Sequence, residues 1–424
     1  SYTFRCERTG KYMNTRMGQS DKDSSETGWI AAEKDAPFDW FVMEIFHVLE
    51  QGNGMIQLTN RFHSPVEIDE KDFLVSMREG SAAQFRMEIV ENGLEKACSL
   101  VQGKEKVILA LGCNSMINAK EEVDRTTIAL SPAQEHLLEE IYRINPNVIL
   151  VLFSNYPYAI NMAQEKLPAV LWSATGSQDM GTAMAETLFG NNAPAGRLNM
   201  TWYRSDEQLP DIDDYDIIKG KRTYRYYDGD VLYPFGYGLT YSSFTYTDFS
   251  AVSEDNRKLR VSFCVTNTGD RVSDEVAQIY GTAPASRVTK PLKQLLGFRR
   301  LKDILPGETR KAEFMIPIEE FRFYDVISRT MMVEEGCYRI FAGPSSAQPQ
   351  LEACVEIPGR KPGLRDVKKR IPADHYDDYE NITLTEGHFG FTAALPVNTE
   401  ETGTLIYRSC RPEFGSKNAF FLSL

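Results

Sequence analysis

The apolar residues of this chain change their spacing twice, and each change marks a boundary that one core cannot span. Over residues 1 to about 93, short runs alternate apolar and polar side chains, as at 38–46, 55–58 and 85–90, and are broken by Gly, Asn, Asp and Pro. A period of two between turn residues marks strands with one buried face. From Val107 strand-sized apolar blocks (107–111, 148–153, 169–172) alternate with helix-like stretches, the order that builds a parallel sheet with helices on its faces. Near Tyr246 the period of two returns at 259–265, 275–280, 310–316 and 337–342, with turns at Asn267-Thr268-Gly269 and Pro306-Gly307. This spells a β-sandwich of roughly 100 residues.

The expected fold is therefore multidomain, α/β plus all-β. It has a β module over 1–93, a parallel α/β sandwich over 94–245 that lacks its first strand, and a β-sandwich over 246–357. A basic, Pro-containing linker over 358–378 and a partial β unit over 379–424, too short for a stable sandwich, complete it. Two hexapeptides, Trp40-Phe41-Val42-Met43-Glu44-Ile45 and Gln84-Phe85-Arg86-Met87-Glu88-Ile89, echo one another and point to internal repetition. In the α/β unit Ser131 is the expected N-cap of a helix, Pro132 its first residue and Gln134 the partner in a capping box, with Leu137, Leu138, Ile141 and Tyr142 facing inward. A second helix over 180–189 closes on Gly190 in a left-handed C-terminal cap. Residues 203–246, rich in Asp, Tyr and Gly, read as a long ordered surface segment.

Composition removes several function classes. With 47 Lys plus Arg against 60 Asp plus Glu the net charge is -13, which repels polyphosphates, so nucleic acid is excluded as a partner. No apolar run nears the roughly 20 residues of a spanning helix, so a soluble chain without a membrane role is expected. Seven scattered cysteines form neither a CxxC metal pattern nor a disulfide framework. They read as reduced thiols and lean toward an intracellular compartment, although Ser1 reads as an internal start and leaves cytoplasm and export both open. Five dispersed His, and Gly-rich turns at Gly176 and Gly236 without phosphate-loop spacing, predict no metal and no cofactor.

Chemistry concentrates after the strand at 107–111. Ligands gather at the carboxyl ends of parallel strands, and the loop leaving this end carries Glu121, Glu122, Asp124 and Arg125. A carboxyl group among carboxylates has a raised pKa, while a neighbouring Arg keeps one partner ionised; such a set can supply a general acid. A merely solvated acidic loop has the same appearance. Trp172, Trp202 and Tyr156 could stack on sugar rings, but aromatics beside strands more often belong to the core.

Glu121-Glu122-Val123-Asp124-Arg125 is followed in order by Leu130-Ser131-Pro132-Ala133-Gln134, Asn145-Pro146-Asn147, Leu171-Trp172-Ser173, the Gly176–Gly181 turn, Leu188-Phe189-Gly190, Ala195-Gly196-Arg197-Leu198, Thr201-Trp202 and Tyr233-Pro234-Phe235-Gly236-Tyr237-Gly238-Leu239-Thr240-Tyr241. In this order the series resembles the C-terminal α/β sandwich domain of family 3 glycoside hydrolases, the first motif matching the family's Glu-x-x-Asp-Arg. Asn267-Thr268-Gly269, Gln278-Ile279-Tyr280, Lys293-Gln294-Leu295-Leu296-Gly297-Phe298 and Leu305-Pro306-Gly307-Glu308 resemble the fibronectin type III-like domain that accompanies it. The start at Tyr2 to Asn14 is similar to a fascin-like β-trefoil insertion, and the tail from Tyr379 to the opening of a jelly-roll carbohydrate-binding module. Asp179 departs from the Glu that relatives commonly have there, which puts a substrate-shaping role for that turn in doubt.

The resemblance implies a retaining exo-β-glycosidase of β-glucosidase or β-xylosidase type, acting on an oligosaccharide or an aryl or alkyl glycoside through two carboxyl groups roughly 5 to 5.5 Å apart. The nucleophile would be an Asp of an N-terminal (β/α)8 barrel that nothing in these residues resembles, so that barrel is an expected partner and the chain alone is expected to be inactive. The acid/base would be Glu121, with Glu122 as runner-up because register in the loop is open, and Asp124 and Arg125 would brace the loop by an ion pair. A non-catalytic carbohydrate-binding or scaffold protein is the competing reading, and a homodimer through the β modules is a further expectation.

Overall fold

The computed structural model of the protein describes residues 2–16, 28–37, 43–76, 81–113, 125–386 and 392–410. The chain divides into two compact units, residues 1–180 with 204–206, and residues 181–203 with 207–424.

The first unit opens with short antiparallel strands. Tyr12–Thr15, Gly28–Lys34, Leu74–Ser76 and Val66–Ile68 lie side by side in that order, and Phe46–Gly52, Met55–Asn60 and Gln84–Arg86 form a second sheet. Phe46, Ile56, Leu58 and Val66 make a small core, with Phe4, Met13, Ile30 and Phe85 packed on it. The hexapeptide echo does not survive as a repeated strand. Met43 to Ile45 precede the strand that begins at Phe46, whereas the second copy contains the strand Gln84–Arg86; residues 40–42 lie outside the described residues. Register at Phe46–Gly52 comes instead from the Gly52-Asn53-Gly54 turn, where all three residues hold positive φ, as a tight hairpin requires. These two sheets do not establish a trefoil.

The rest of this unit is a parallel sheet with helices. Val148–Phe153 is its central strand, flanked by Val107–Gly112 and Ala169–Ser173. Val148, Leu150, Val151 and Leu152 are all buried, as a strand covered on both faces requires. The helix Pro132–Ile144 buries Leu138 and Ile141, and Leu137 and Tyr142 are half-buried beside them. Ser131 is its N-cap and Pro132 its first residue, but no capping box forms: the Ser131 side chain makes no cap hydrogen bond, and the Gln134 amide donates to Gly112 O at 2.8 Å. Exposed Ser131 can be satisfied by water, whereas a partly buried strand-end carbonyl needs a protein donor.

The second unit takes all but the first residue of the helix Met180–Leu188. The expected cap is present, with Gly190 at φ 76, its N–H donating to Thr187 O at 3.0 Å and that of Asn191 to Glu186 O at 2.8 Å, the paired bonds of a Schellman motif. The segment that follows is ordered by backbone bonds: Leu198 N to Tyr237 O at 2.8 Å, Gly236 N to Leu198 O at 2.8 Å and Trp202 N to Tyr233 O at 2.9 Å. The sandwich then packs Phe244–Glu254, Lys258–Asn267 and Thr309–Pro317 against Gln294–Ile304, Ser273–Thr282, Gly336–Gly343 and Leu351–Ile357. Leu259, Val261, Phe263 and Val265 from one sheet meet Ala277, Ile279, Ile340 and Ala342 from the other.

Residues 358–378, expected to act as a linker, are pinned within the second unit by buried charges. Arg287 pairs with Asp325 and, at 2.6 Å, with Asp377, which Arg365 also reaches at 2.7 Å; Asp325 and Asp377 expose none of their side chains. Beyond them two small antiparallel pairs form, Asp378–Glu380 with Thr404–Ile406 and Ile382–Glu386 with Thr392–Pro396. None of the seven cysteines forms a disulfide, and among the described residues no helix is long and apolar enough to cross a membrane.

Candidate functional site

At the carboxyl edge of the parallel sheet three strand ends converge. Cys113 N donates to Phe153 O at 2.9 Å and Ser154 N to Ser173 O at 3.0 Å, so the ladder continues past the last strand residues. Gly112 can only be glycine here. Its φ is 149°, and a Cβ built on it would lie 1.9 Å from Phe153 O, far inside van der Waals contact. The turn after the central strand is held from within: Ser154 Oγ donates to Tyr156 O at 2.5 Å and accepts from Tyr156 N at 2.9 Å, while Asn155 Oδ1 accepts from Thr175 N at 2.8 Å.

Of the four sequence-predicted site residues, Glu121, Glu122 and Asp124 lie outside the described residues, as does the expected ion pair of Asp124 with Arg125. Arg125 is described, and it lies between two rings: its guanidinium carbon sits 4.6 Å from the Tyr156 ring centre and 4.7 Å from that of Tyr158. Both distances are within cation–π range. Burial, assisted by the neighbouring Cys113 thiol, pushes the Tyr158 hydroxyl up to about 12 even though Arg125 pulls the other way. The hydroxyl therefore stays protonated through the neutral range.

The residues after Arg125 are fixed by a group the sequence did not single out. The Asp206 carboxylate accepts from Thr127 Oγ1 at 2.6 Å and from Ile128 N at 2.8 Å, and Ala159 N donates to Ile128 O at 2.9 Å. Asn161 Nδ2 in turn holds Arg204 O at 2.8 Å, tying down the segment that carries Asp206. Tyr158 and Asp206 were missed because both act across long sequence separations. The available signal was the polar, Pro-stiffened run Ser154-Asn155-Tyr156-Pro157-Tyr158 at a strand end. The aromatic candidates sort themselves: Trp202 is 1% exposed and packs edge-on against Tyr233 at 5.8 Å, as a core residue, and the Tyr156 ring is engaged by Arg125.

Chemically, this edge offers a fixed cation at the end of a segment bearing two glutamates. Sequence families agree with the motif series. Residues 18–241 match the glycosyl hydrolase family 3 C-terminal domain, and residues 275–346 match the fibronectin type III-like domain. The chain is 38% identical over 230 residues to a xylan 1,4-beta-xylosidase of Xylanibacter ruminicola, covering 54% of this chain and 26% of that protein. It is 33% identical over 269 residues to a beta-xylosidase of Formosa agariphila, covering 62% and 37%. In structure it resembles a beta-D-glucoside glucohydrolase of Trichoderma reesei with a TM-score of 0.58 at 26% identity, over 63% of this chain and 42% of that one. The chain thus spans between about a quarter and two fifths of the length of these relatives. A family match across more than half of the residues leads to one conclusion: the chain belongs to glycoside hydrolase family 3.

Proposed function

We propose that this chain is the C-terminal portion of a retaining exo-β-glycosidase that removes terminal β-linked xylose or glucose, and that it supplies the general acid/base, Glu121, to a site shared with the family's barrel. Glu122 is the alternative donor. The observation that carries the reading is Arg125. It is the last residue of the family-like Glu-x-x-Asp-Arg, and it is anchored by two tyrosine rings at the carboxyl edge of a parallel sheet, where such sheets bind ligands.

In the forward step the protonated carboxyl of Glu121 gives its proton to the glycosidic oxygen as the barrel's Asp attacks the anomeric carbon. In the second step the resulting carboxylate takes a proton from water, which hydrolyses the glycosyl-enzyme. Without the nucleophile the 424 residues have no turnover.

The test supplies the barrel, fused or as a separate chain, and follows aryl β-xylosides and β-glucosides of graded leaving-group pKa. Glu121→Gln should lower kcat/KM for poor leaving groups by about 10²–10⁴-fold and spare good ones, which need no proton. Azide, a nucleophile that needs no general base, should restore turnover of activated substrates. The same profile in Glu122→Gln, and not in Glu121→Gln, would move the role one residue along. Wild-type rates in both variants would leave the chain as a binding or scaffold element.

A further inference from the structure

The four-stranded sheet of the first unit carries two aromatic rings that its core does not use. Strand alternation fixes which side chains lie on which face. Val66 belongs to the small core, and Ile30 and Leu74 pack on it. Their chain neighbours Glu67, Trp29, Phe73 and Val75 therefore belong to the opposite face. Trp29 lies directly across from Val75, and Val75 from Glu67, while Arg16 N donates to Trp29 O at 2.7 Å. Arg16, Trp29, Val75 and Glu67 thus form one row across the sheet.

Trp29 and Phe73 are 50% and 53% exposed. Their rings meet edge to face, with centres 5.4 Å and planes 66° apart, so together they make a corner and not a flat patch. The corner is held from behind, because Asp69 Oδ1 accepts from Phe73 N at 2.8 Å and Asp69 N donates to Phe73 O at 2.9 Å. Beside it, Arg16 Nε donates to Glu33 Oε1 at 2.8 Å and Arg16 Nη2 to Glu33 Oε2. This fork leaves further guanidinium N–H groups and carboxylate lone pairs over, on side chains that are 57% and 35% exposed. Two half-exposed rings present on the order of 200 Å², whereas a stable protein interface buries about 800 Å² per partner. The occupant is therefore small. A charge pair that cancels itself exerts little pull on a charged ligand, but it offers donors and acceptors together, which hydroxyl groups match. A pyranose ring combines both requirements: C–H bonds that favour the negative face of an aromatic ring, and hydroxyls around its rim.

We propose that this corner binds a neutral β-linked oligosaccharide: one sugar ring stacks on Trp29 against Phe73, and its hydroxyls exchange hydrogen bonds with Arg16 and Glu33. The site stands on these four residues alone. The choice of xylose or glucose as the sugar rests on the glycosidase reading.

Calorimetry on the whole 424-residue chain, with xylohexaose and cellohexaose as probes, tests it without any need for turnover. At least one of the two should bind with a millimolar or tighter Kd that changes little with salt, because the ligand is uncharged. Trp29→Ala should weaken binding about tenfold or more, Trp29→Tyr should recover part of the loss, and Arg16→Ala should weaken it several-fold. Tyr215→Ala removes a ring that is more exposed still, in the second unit, and should bind as wild type does. An unchanged melting temperature in Trp29→Ala would show that the loss is one of contact and not of folding. Binding of neither sugar, or wild-type affinity in Trp29→Ala, would overturn the proposal. So would a barrel that protects Trp29 from peptide-resolved oxidation where the sugars do not, since the corner would then be a contact between domains. Loss of sugar binding would leave the assignment of Glu121 untouched. Wild-type rates in both Glu121→Gln and Glu122→Gln would sink that assignment, while binding at Trp29 would stand.

Discussion

Replacing Arg197 by methionine should destabilise the second unit by about 3–5 kcal/mol, the usual cost of stranding one member of a buried ion pair. Arg197 Nη2 donates to Glu275 Oε2 at 2.8 Å, with 8% and 3% of the two side chains exposed. The other oxygen of Glu275 accepts from the Tyr246 hydroxyl, also at 2.8 Å. Methionine fills most of the arginine volume, so packing loss is small and the energy lost is chiefly that of a carboxylate left with one neutral donor. For a unit of this size the loss corresponds to a fall of roughly 10 °C in the melting temperature. Because the chain has two units, the assay is calorimetry that separates the transitions, with tyrosine near-ultraviolet dichroism reporting the sandwich. Glu275→Leu alone should cost a similar amount. The double variant should recover most of either loss, since apolar replacement of a whole buried pair is often neutral or stabilising. A single-variant cost below about 1 kcal/mol, the range of exposed pairs, would refute the reasoning, as would a double variant whose loss is the sum of the two.

Lys290 should make stability rise with pH above neutrality. Burial holds its ammonium down to about 8, with Arg287 adding to the effect and Glu334 and Asp325 opposing it, and its Nζ is buried without a hydrogen-bond partner among the described residues. The unfolded chain stays protonated to about 10.4. Between these values the unfolded state binds more protons, so unfolding free energy increases with pH, and in Lys290→Met the slope in urea titrations at pH 7 to 10 should become smaller, the remainder coming from groups such as Lys293, whose ammonium burial also holds down. Gly112→Ala should cost at least about 2–3 kcal/mol and weaken amide-exchange protection of Cys113 and Ser154, because its Cβ meets the backbone oxygen of Phe153 at 1.9 Å; wild-type protection would show that the strand end tolerates a side chain.

What is local in the fold is legible from neighbouring residues. Pro132 and Gly190 punctuate their helices as expected, and the change from period two to helix-separated apolar blocks separates sandwich from parallel sheet. The site was legible only in part. The strand end and Arg125 follow from residue types and position, but the contacts that hold Arg125 do not, and Glu121, Glu122 and Asp124 lie outside the described residues. Asp206 reaches Thr127 and Ile128 across nearly eighty residues, and Arg197 reaches Glu275 across a similar span. Periodicity carries no trace of such pairs, because either partner alone is an ordinary charged residue. Gln134 shows the reverse failure: its spacing from Ser131 suits a capping box, yet a partly buried carbonyl at the end of a neighbouring strand competes for the same amide and wins.

The ordered motif series gains a physical meaning once each member is placed. Asn145 Nδ2 donates to Lys104 O at 2.7 Å and Asn147 Nδ2 to Glu105 O at 2.7 Å, so the Asn-Pro-Asn motif joins two strand approaches. Trp202 is core, and Arg197 is the buried cation. Gly236, at φ 79, leaves no room for a Cβ against Gln278 Oε1, and Gly238 leaves none against Gly196 O. These residues shape the fold, so their match to the family speaks for architecture more than for catalysis. Apart from the exposed Asp179, the carboxylates of the series are Glu121, Glu122 and Asp124. The proposed acid/base, Glu121 or Glu122, is therefore among the few carboxylates of the series, and a group that gives and then takes back a proton works best when it titrates near neutrality.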